Sequence, residues 1–234
     1  EGPYKEKMIA IDKKWGKIEY WKAIGEMVDP YTFGYFLNAV DLKYDSNKKI
    51  VQQPEKRRIY NYTWYKTLKI SVLVTLFCLI LGYPISYLLA TLPLKYSNLL
   101  MIFVLLPFWT SLLVRTVSWI IILMRKGVFN SILVWAGIIA DENRMQLIYN
   151  ETGTLIAMTQ ILLPFMVLPL YSVMKTIPPS YMRAALNLGA HPMHAFYRIY
   201  MPQTVPGISA GGLLVFVLAI GYFITPELVG GADG

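Results

Sequence analysis

Residues 70–92 read ISVLVTLFCLILGYPISYLLATL, a run of 23 residues without a charged side chain. A helix needs about 20 apolar residues to cross the hydrocarbon core of a membrane. Three further stretches have this length and character, namely Leu99–Ile122, Thr154–Met174 and Thr204–Thr225, and Arg115 is the only charged residue within the four. The sequence therefore predicts an all-α fold, a polytopic bundle of transmembrane helices in which four spans are visible.

Composition separates this apolar body from a polar segment that precedes it. The 234 residues are 56% hydrophobic and 15% charged, whereas soluble domains are roughly 45–50% apolar and about 25% charged. Residues 1–66 nevertheless hold 22 of the 36 charged residues. We therefore predict two parts, 1–66 and 67–234, with membrane lipid as the surroundings of the second.

The net charge of +8 does not indicate a nucleic-acid partner, because the body lacks a basic stripe with interleaved aromatic residues. A metal site is also not expected. Cys78 is the only cysteine and lies inside the first span, while His191 and His194 have no third ligand nearby in the sequence.

Three classes of membrane protein fit such a bundle. An ion-coupled carrier normally places Asp or Glu inside its spans, and an intramembrane hydrolase needs a catalytic constellation; the four spans contain neither. A permease driven by a separate ATPase needs only proline-kinked helices, a pathway and a docking loop. The third class is favoured, and the ion-coupled carrier remains the alternative from another class.

The connection at residues 175–203, here called the 175–203 loop, is the most informative segment. Ser180 after two prolines is a favourable N-cap and Gly189 a favourable C-cap, which predicts a helix over Tyr181–Leu188. A second short helix is expected after Pro192, ending near Pro202. Two short helices between spans predict a docking surface for a soluble partner.

This loop resembles the cytoplasmic EAA motif in membrane subunits of binding-protein-dependent ABC importers, which reads E-A-A, three residues, G, nine residues, I, one residue, L-P. The matching positions are Ala184, Ala185, Gly189, Ile199 and Pro202, with Met201 in place of the Leu. The resemblance implies the type I ABC importer permease fold in a bacterial inner membrane, with about six spans. On this interpretation residues 1–66 are an extracytoplasmic segment that follows a missing first span, and a last span is also missing.

The same resemblance implies the partners. Two ABC ATPase subunits would receive the 175–203 loop and would use ATP and Mg²⁺, so that this chain has no cofactor and is not itself an enzyme. A second permease subunit, identical or similar, and an extracytoplasmic solute-binding protein would complete the transporter.

Arg183 departs from the motif, because the family usually has Glu at that position. A Glu there would complete a capping box with Ser180, whereas a cation near the positive end of the helix costs about 0.3–1 kcal/mol. Two interpretations are equally open: Arg183 pairs with a carboxylate of the ATPase subunit, or its side chain is solvated.

A second resemblance concerns residues 221–231, GYFITPELVGG, which are similar to the end of the fifth helix in permeases of the spermidine/putrescine type. It implies a small amine as substrate, with Tyr222 and Phe223 offering cation–π faces and Glu227 a counter-charge, unless Glu227 lies in an outer loop. Amino acids, thiamine-like solutes and iron complexes remain alternative substrates. Arg115 is either a pathway residue or a side chain that extends to the membrane surface.

Overall fold

The computed structural model of the protein describes residues 4–28, 33–45 and 49–231. Residues 1–3, 29–32 and 46–48 of the first predicted part and 232–234 of the second lie outside the described ones. The chain divides into two compact units, residues 1–66 and 67–234.

The first unit contains short helices and one hairpin. Its elements are α1 (Tyr4–Ile11), α2 (Ile18–Val28), α3 (Gly34–Asn38), and the antiparallel strands β1 (Leu42–Tyr44) and β2 (Ile50–Gln52). Asp41, buried and at φ 59°, accepts hydrogen bonds from the backbone N–H groups of Tyr60 and Asn61 at 3.0 and 2.7 Å. A carboxylate thereby caps the first amides of the helix that begins at Tyr60.

The chain from residue 60 onward is almost entirely helical. The helices are α4 (Tyr60–Thr91), α5 (Leu94–Leu105), α6 (Leu112–Leu123), α7 (Val128–Trp135), α8 (Glu151–Thr176), α9 (Pro179–Asn187), α10 (Pro192–Ala195), α11 (Met201–Gln203) and α12 (Val205–Gly221). Among the described residues, three helical stretches are long and apolar enough to span a membrane, and a fourth counts if the helical run 192–203 and α12 are taken as one span bent by 60°.

The stretch 99–122, expected as one uninterrupted span, is divided. α5 ends at Leu105, a 3-10 turn follows over Leu106–Trp109, and α6 begins at Leu112. Pro107 lacks a backbone N–H and sits in the first turn of the 3-10 segment. The spanning stretch in this region is Leu112–Trp135, which joins α6 and α7, and Leu94–Trp109 is a shorter apolar helix.

α8 packs against α4 along its length. Cys78 Sγ donates to the Thr159 carbonyl at 3.4 Å, and Ser86 Oγ donates to the Val167 carbonyl at 3.2 Å. At the first residue of α8, Glu151 forms an ion pair at 2.7 Å with Lys69, which lies in the third turn of α4. Residue numbers rise together on the two helices, so α4 and α8 run parallel.

The contacts of α12 with α8 rely on glycine. Gly207 lies against Pro169 and Leu170, and Gly211 lies against Met166. Residue numbers on α8 fall as those on α12 rise, so the two helices are antiparallel. Residues with small side chains at this spacing let two membrane helices approach closely, and Val215 and Ala219 extend the same buried face.

Candidate functional site

The first helix of the 175–203 loop begins at its prolines. α9 starts at Pro179, and Pro178 occupies the position before it without a side-chain hydrogen bond to the helix. The expectation that Ser180 is the N-cap is therefore wrong. Proline favours the first helical position because its φ is already helical and its missing N–H has no helical partner there, which places Ser180 inside the first turn.

Gly189 ends this helix, as its predicted C-cap role requires. Its φ is +84°, and its N–H donates to the Leu186 carbonyl at 3.0 Å, while the Ala190 N–H donates to the Ala185 carbonyl at 3.1 Å. These two bonds form a Schellman motif, which satisfies carbonyls that the helix end would leave free. A left-handed residue therefore fixes the direction in which the chain leaves α9.

The second helix of the loop begins at Pro192 and ends at Gln203, next to Pro202, which confirms the expected end. α10 continues through a π-helical turn (Phe196–Tyr200) into α11, and the chain bends by 60° before α12. Pro202 lies in the first turn of α11, directly after the π-helical turn. One turn residue, Thr204, therefore separates the helical run 192–203 from α12.

Aromatic side chains pack the loop onto α4. The Tyr87 ring lies edge-on to Phe196 and Tyr200, with centroids 5.4 and 5.2 Å apart, and the Tyr83 ring lies edge-on to Phe196 at 6.2 Å. Edge-to-face pairs at these distances are stabilising beyond the area that they bury. Beside them, a cleft of about 380 Å³ opens between α4, α9 and α10, with Met182 and Met193 in its lining.

The outer face of the loop is exposed and cationic. Ala185 and Ala195 are buried, whereas Arg183, Ala184 and Arg198 are exposed and the Leu188 side chain is 89% exposed. No Asp or Glu occurs between residues 175 and 203. The exposed Leu188 side chain and the cations Arg183 and Arg198 are complementary to a partner groove with apolar walls and acidic edges.

The side chains of the four pathway candidates do not form one interacting cluster among the described residues. Tyr222 is half-buried against the core around α8, within electrostatic range of Arg115. Phe223 and Glu227 are exposed, and among the described residues neither side chain forms a hydrogen bond, ion pair or ring contact. The nearby Oγ1 atoms of Thr116 and Thr225 lie 3.4 Å apart, linking α6 to the segment after α12.

Arg115 bridges the break between α5 and α6. Its guanidinium donates to the carbonyls of Pro107 and Thr110, the latter at 3.0 Å, and its Nε donates to Thr110 Oγ1 at 3.3 Å. These carbonyls belong to the 3-10 turn and its end, where helical partners are missing. The structure therefore gives Arg115 a capping role, which neither of the two sequence-based interpretations contains.

Because Arg115 caps the break, Arg115→Leu should lower the free energy of unfolding by about 1–3 kcal/mol, since two backbone carbonyls lose a charged donor. Arg115→Lys should restore part of the loss, since a lysine reaches one carbonyl but not two. Thermal unfolding in detergent measures the effect. Ser118→Ala is the control, because the one side-chain hydrogen bond of Ser118 among the described residues goes to Val114 in its own helix. A raised transport KM at unchanged thermal stability would contradict the capping role.

Sequence reasoning missed a polar pair inside the bundle. The indole N–H of Trp119 donates to Gln160 Oε1 at 3.1 Å, which joins α6 to α8. Gln160 also lines two apolar cavities of about 370 and 390 Å³. The available signal was Gln160 itself, an uncharged polar residue in the middle of an apolar span.

Comparison with known proteins agrees with this architecture. The family described as binding-protein-dependent transport system inner membrane component matches residues 70–234. The spermidine/putrescine transport system permease protein PotB of Salmonella typhimurium is 42% identical over 166 residues, which are 71% of this chain and 57% of that protein. PotB of Haemophilus influenzae is 37% identical over 174 residues, 74% of this chain and 60% of that protein.

A more distant relative carries another substrate in its name. The molybdenum transport system permease protein ModB of Mycobacterium bovis is 26% identical over 157 residues, 67% of this chain and 57% of that protein. The chain spans somewhat more than half of the length of these relatives. The family match covers most of the chain and includes the helices and the 175–203 loop described above, and the chain therefore belongs to the family of inner membrane components of binding-protein-dependent transport systems.

Proposed function

We propose that the chain is a permease subunit of an ATP-driven importer and forms the translocation pathway for a small polyamine such as spermidine or putrescine. The observation that carries the proposal is the 175–203 loop, an exposed group of short helices that a single turn residue separates from α12 and that aromatic rings pack onto α4. The name of the PotB relatives supports the substrate class.

In the proposed mechanism the loop faces the cytoplasm and docks on one of two ATPase subunits, which hold ATP and Mg²⁺. When the two ATPase subunits bind ATP, they close on each other and move the loop. This movement rotates the helices of this chain relative to those of a second permease subunit. A solute-binding protein delivers the substrate at the opposite face, and residues 1–66 are proposed to be an extracytoplasmic segment. This chain contributes the pathway and the docking surface and no catalytic group.

Substrate recognition is proposed to involve the segment after α12. The half-buried ring of Tyr222 offers a cation–π surface, and the exposed carboxylate of Glu227 a counter-charge at the pathway entrance. Phe223, which is exposed, would add a second ring. Arg115 is not assigned to substrate here, because its guanidinium is engaged by backbone carbonyls.

Uptake of radiolabelled spermidine into vesicles tests the function. The transporter is assembled from the permease containing this chain, its ATPase and its binding protein. ATP-dependent uptake that unlabelled putrescine inhibits, and molybdate or maltose does not, is the expected result. Uptake of molybdate in place of spermidine would overturn the substrate class, and uptake driven by an ion gradient without ATP would overturn the transporter class.

The charge of the docking surface predicts an effect of Arg183. Arg183→Ala should lower ATP hydrolysis stimulated by the binding protein about threefold to tenfold, since tenfold corresponds to about 1.4 kcal/mol of docking energy, and Arg183→Glu should lower it further. Lys95→Ala is the control, because Lys95 is an exposed cation in the first turn of α5, outside the 175–203 loop. Unchanged stimulation in Arg183→Glu would favour a solvated side chain without a carboxylate partner.

A further inference from the structure

We propose that Tyr83 and Thr204 form a hydroxyl latch that couples movement of the 175–203 loop to α4. This inference rests on the proposed function, because it assigns a positioning role within the same transport cycle. The Tyr83 hydroxyl and Thr204 Oγ1 lie 3.3 Å apart, although the residues are separated by 121 positions in the sequence.

Thr204 stands at the 60° bend between α11 and α12 and is completely buried. Its Oγ1 donates to the Met201 carbonyl at 2.7 Å. A threonine hydroxyl has one proton, and that proton is used by this bond. The Tyr83 hydroxyl is therefore the donor to Thr204 Oγ1, and the chain of bonds runs from α4 through the bend into α11.

The latch differs in kind from the aromatic contacts beside it. The rings of Tyr83 and Tyr87 both lie edge-on to Phe196, at 6.2 and 5.4 Å, and ring contacts tolerate sliding. A hydrogen bond weakens steeply with distance and angle. Among the described residues, the Tyr83–Thr204 bond is the only hydrogen bond between α4 and residues 192–204. It is therefore the hydrogen bond whose length and angle depend on the bend at Thr204.

Tyr83 lies at a point where α4 packs closely on α8, so a displacement of Tyr83 is transmitted to α8. A Cβ at the preceding Gly82 would lie 3.0 Å from Met166 Cγ, and Ser86 on the next turn donates to the Val167 carbonyl. α4 is thus closely packed on α8 on both sides of Tyr83. A change of the bend at Thr204 must either break the hydroxyl bond or shift α4 against α8.

The test removes single oxygen atoms in the assembled transporter. Tyr83→Phe should lower the ratio of binding-protein-stimulated to basal ATP hydrolysis about fivefold, the effect of one hydrogen bond of ordinary strength, while the transporter still folds and assembles. Thr204→Val should lower the ratio at least as much, because it also removes the bond to the Met201 carbonyl, and Thr204→Ser, which keeps the hydroxyl, should retain coupling. The double variant Tyr83→Phe/Thr204→Val should be no worse than Thr204→Val alone.

Tyr87→Phe is the matched control. Tyr87 lies one turn further along α4 and packs on the same Phe196 ring, but its hydroxyl has no hydrogen bond among the described residues. Wild-type coupling in Tyr83→Phe, or equal losses in Tyr83→Phe and Tyr87→Phe, would overturn the latch while the proposed function stands. A wild-type transporter whose ATP hydrolysis ignores the binding protein would overturn the proposed function, and the latch with it.

Discussion

Gly211→Leu is expected to prevent the close packing of α12 on α8 and thereby to abolish recovery of folded protein. A Cβ at Gly211 would lie 2.9 Å from the Met166 sulfur and 3.1 Å from the Met166 carbonyl oxygen. The sulfur belongs to a flexible side chain, but the carbonyl belongs to the backbone of α8 and cannot yield. Overpacking costs about 1–3 kcal/mol for added methylene groups in a core, and a leucine adds four carbon atoms.

Recovery is measured by size-exclusion chromatography in detergent, together with thermal unfolding of the protein that remains. Gly211→Ala should lower the unfolding temperature without abolishing recovery. Gly212→Ala is the matched control, because a Cβ there would meet only Thr75 Cγ2 at 3.9 Å, an ordinary contact. Wild-type recovery of Gly211→Leu would show that α8 and α12 do not pack as described.

The sequence predicts those parts of the fold that depend on local chemistry. Long apolar runs mark α4 and α8, and a glycine after a short helix marks the left-handed C-cap at Gly189. The spacing of Gly207 and Gly211 indicates a close helix contact, although it does not identify Met166 on α8 as the partner. Local signals thus locate elements and caps without assigning their neighbours.

The missed features depend on distant parts of the chain. Asp41 caps a helix that begins 19 residues later, and Thr204 bonds to a tyrosine 121 residues away. The division of 99–122 has a local signal in Pro107, but prolines also occur inside the continuous helix α8. What distinguishes the two cases is Arg115, whose side chain supplies donors to the carbonyls of the 3-10 turn.

Gly189→Val is expected to weaken the stimulation of ATP hydrolysis by the binding protein, as the second large effect. A Cβ at Gly189 would meet nothing within 4 Å, so the substitution causes no clash. The backbone at φ +84° is instead the difficulty, because a left-handed conformation costs a residue with a Cβ about 1–2 kcal/mol, and a β-branched residue is a clear outlier there. The Schellman motif that orients α9 should then open.

Binding-protein-stimulated ATP hydrolysis should fall about fivefold to thirtyfold, the factor that corresponds to one or two kcal/mol. Gly189→Asn should retain most of the coupling, because asparagine tolerates the left-handed region. Gly137→Val is the matched control, since Gly137 has φ +70° with nothing within 4 Å of a Cβ but lies after α7, outside the 175–203 loop. Equal losses in the two valine variants would trace the effect to general backbone strain, whereas a loss confined to Gly189→Val would assign it to the orientation of α9 on the ATPase.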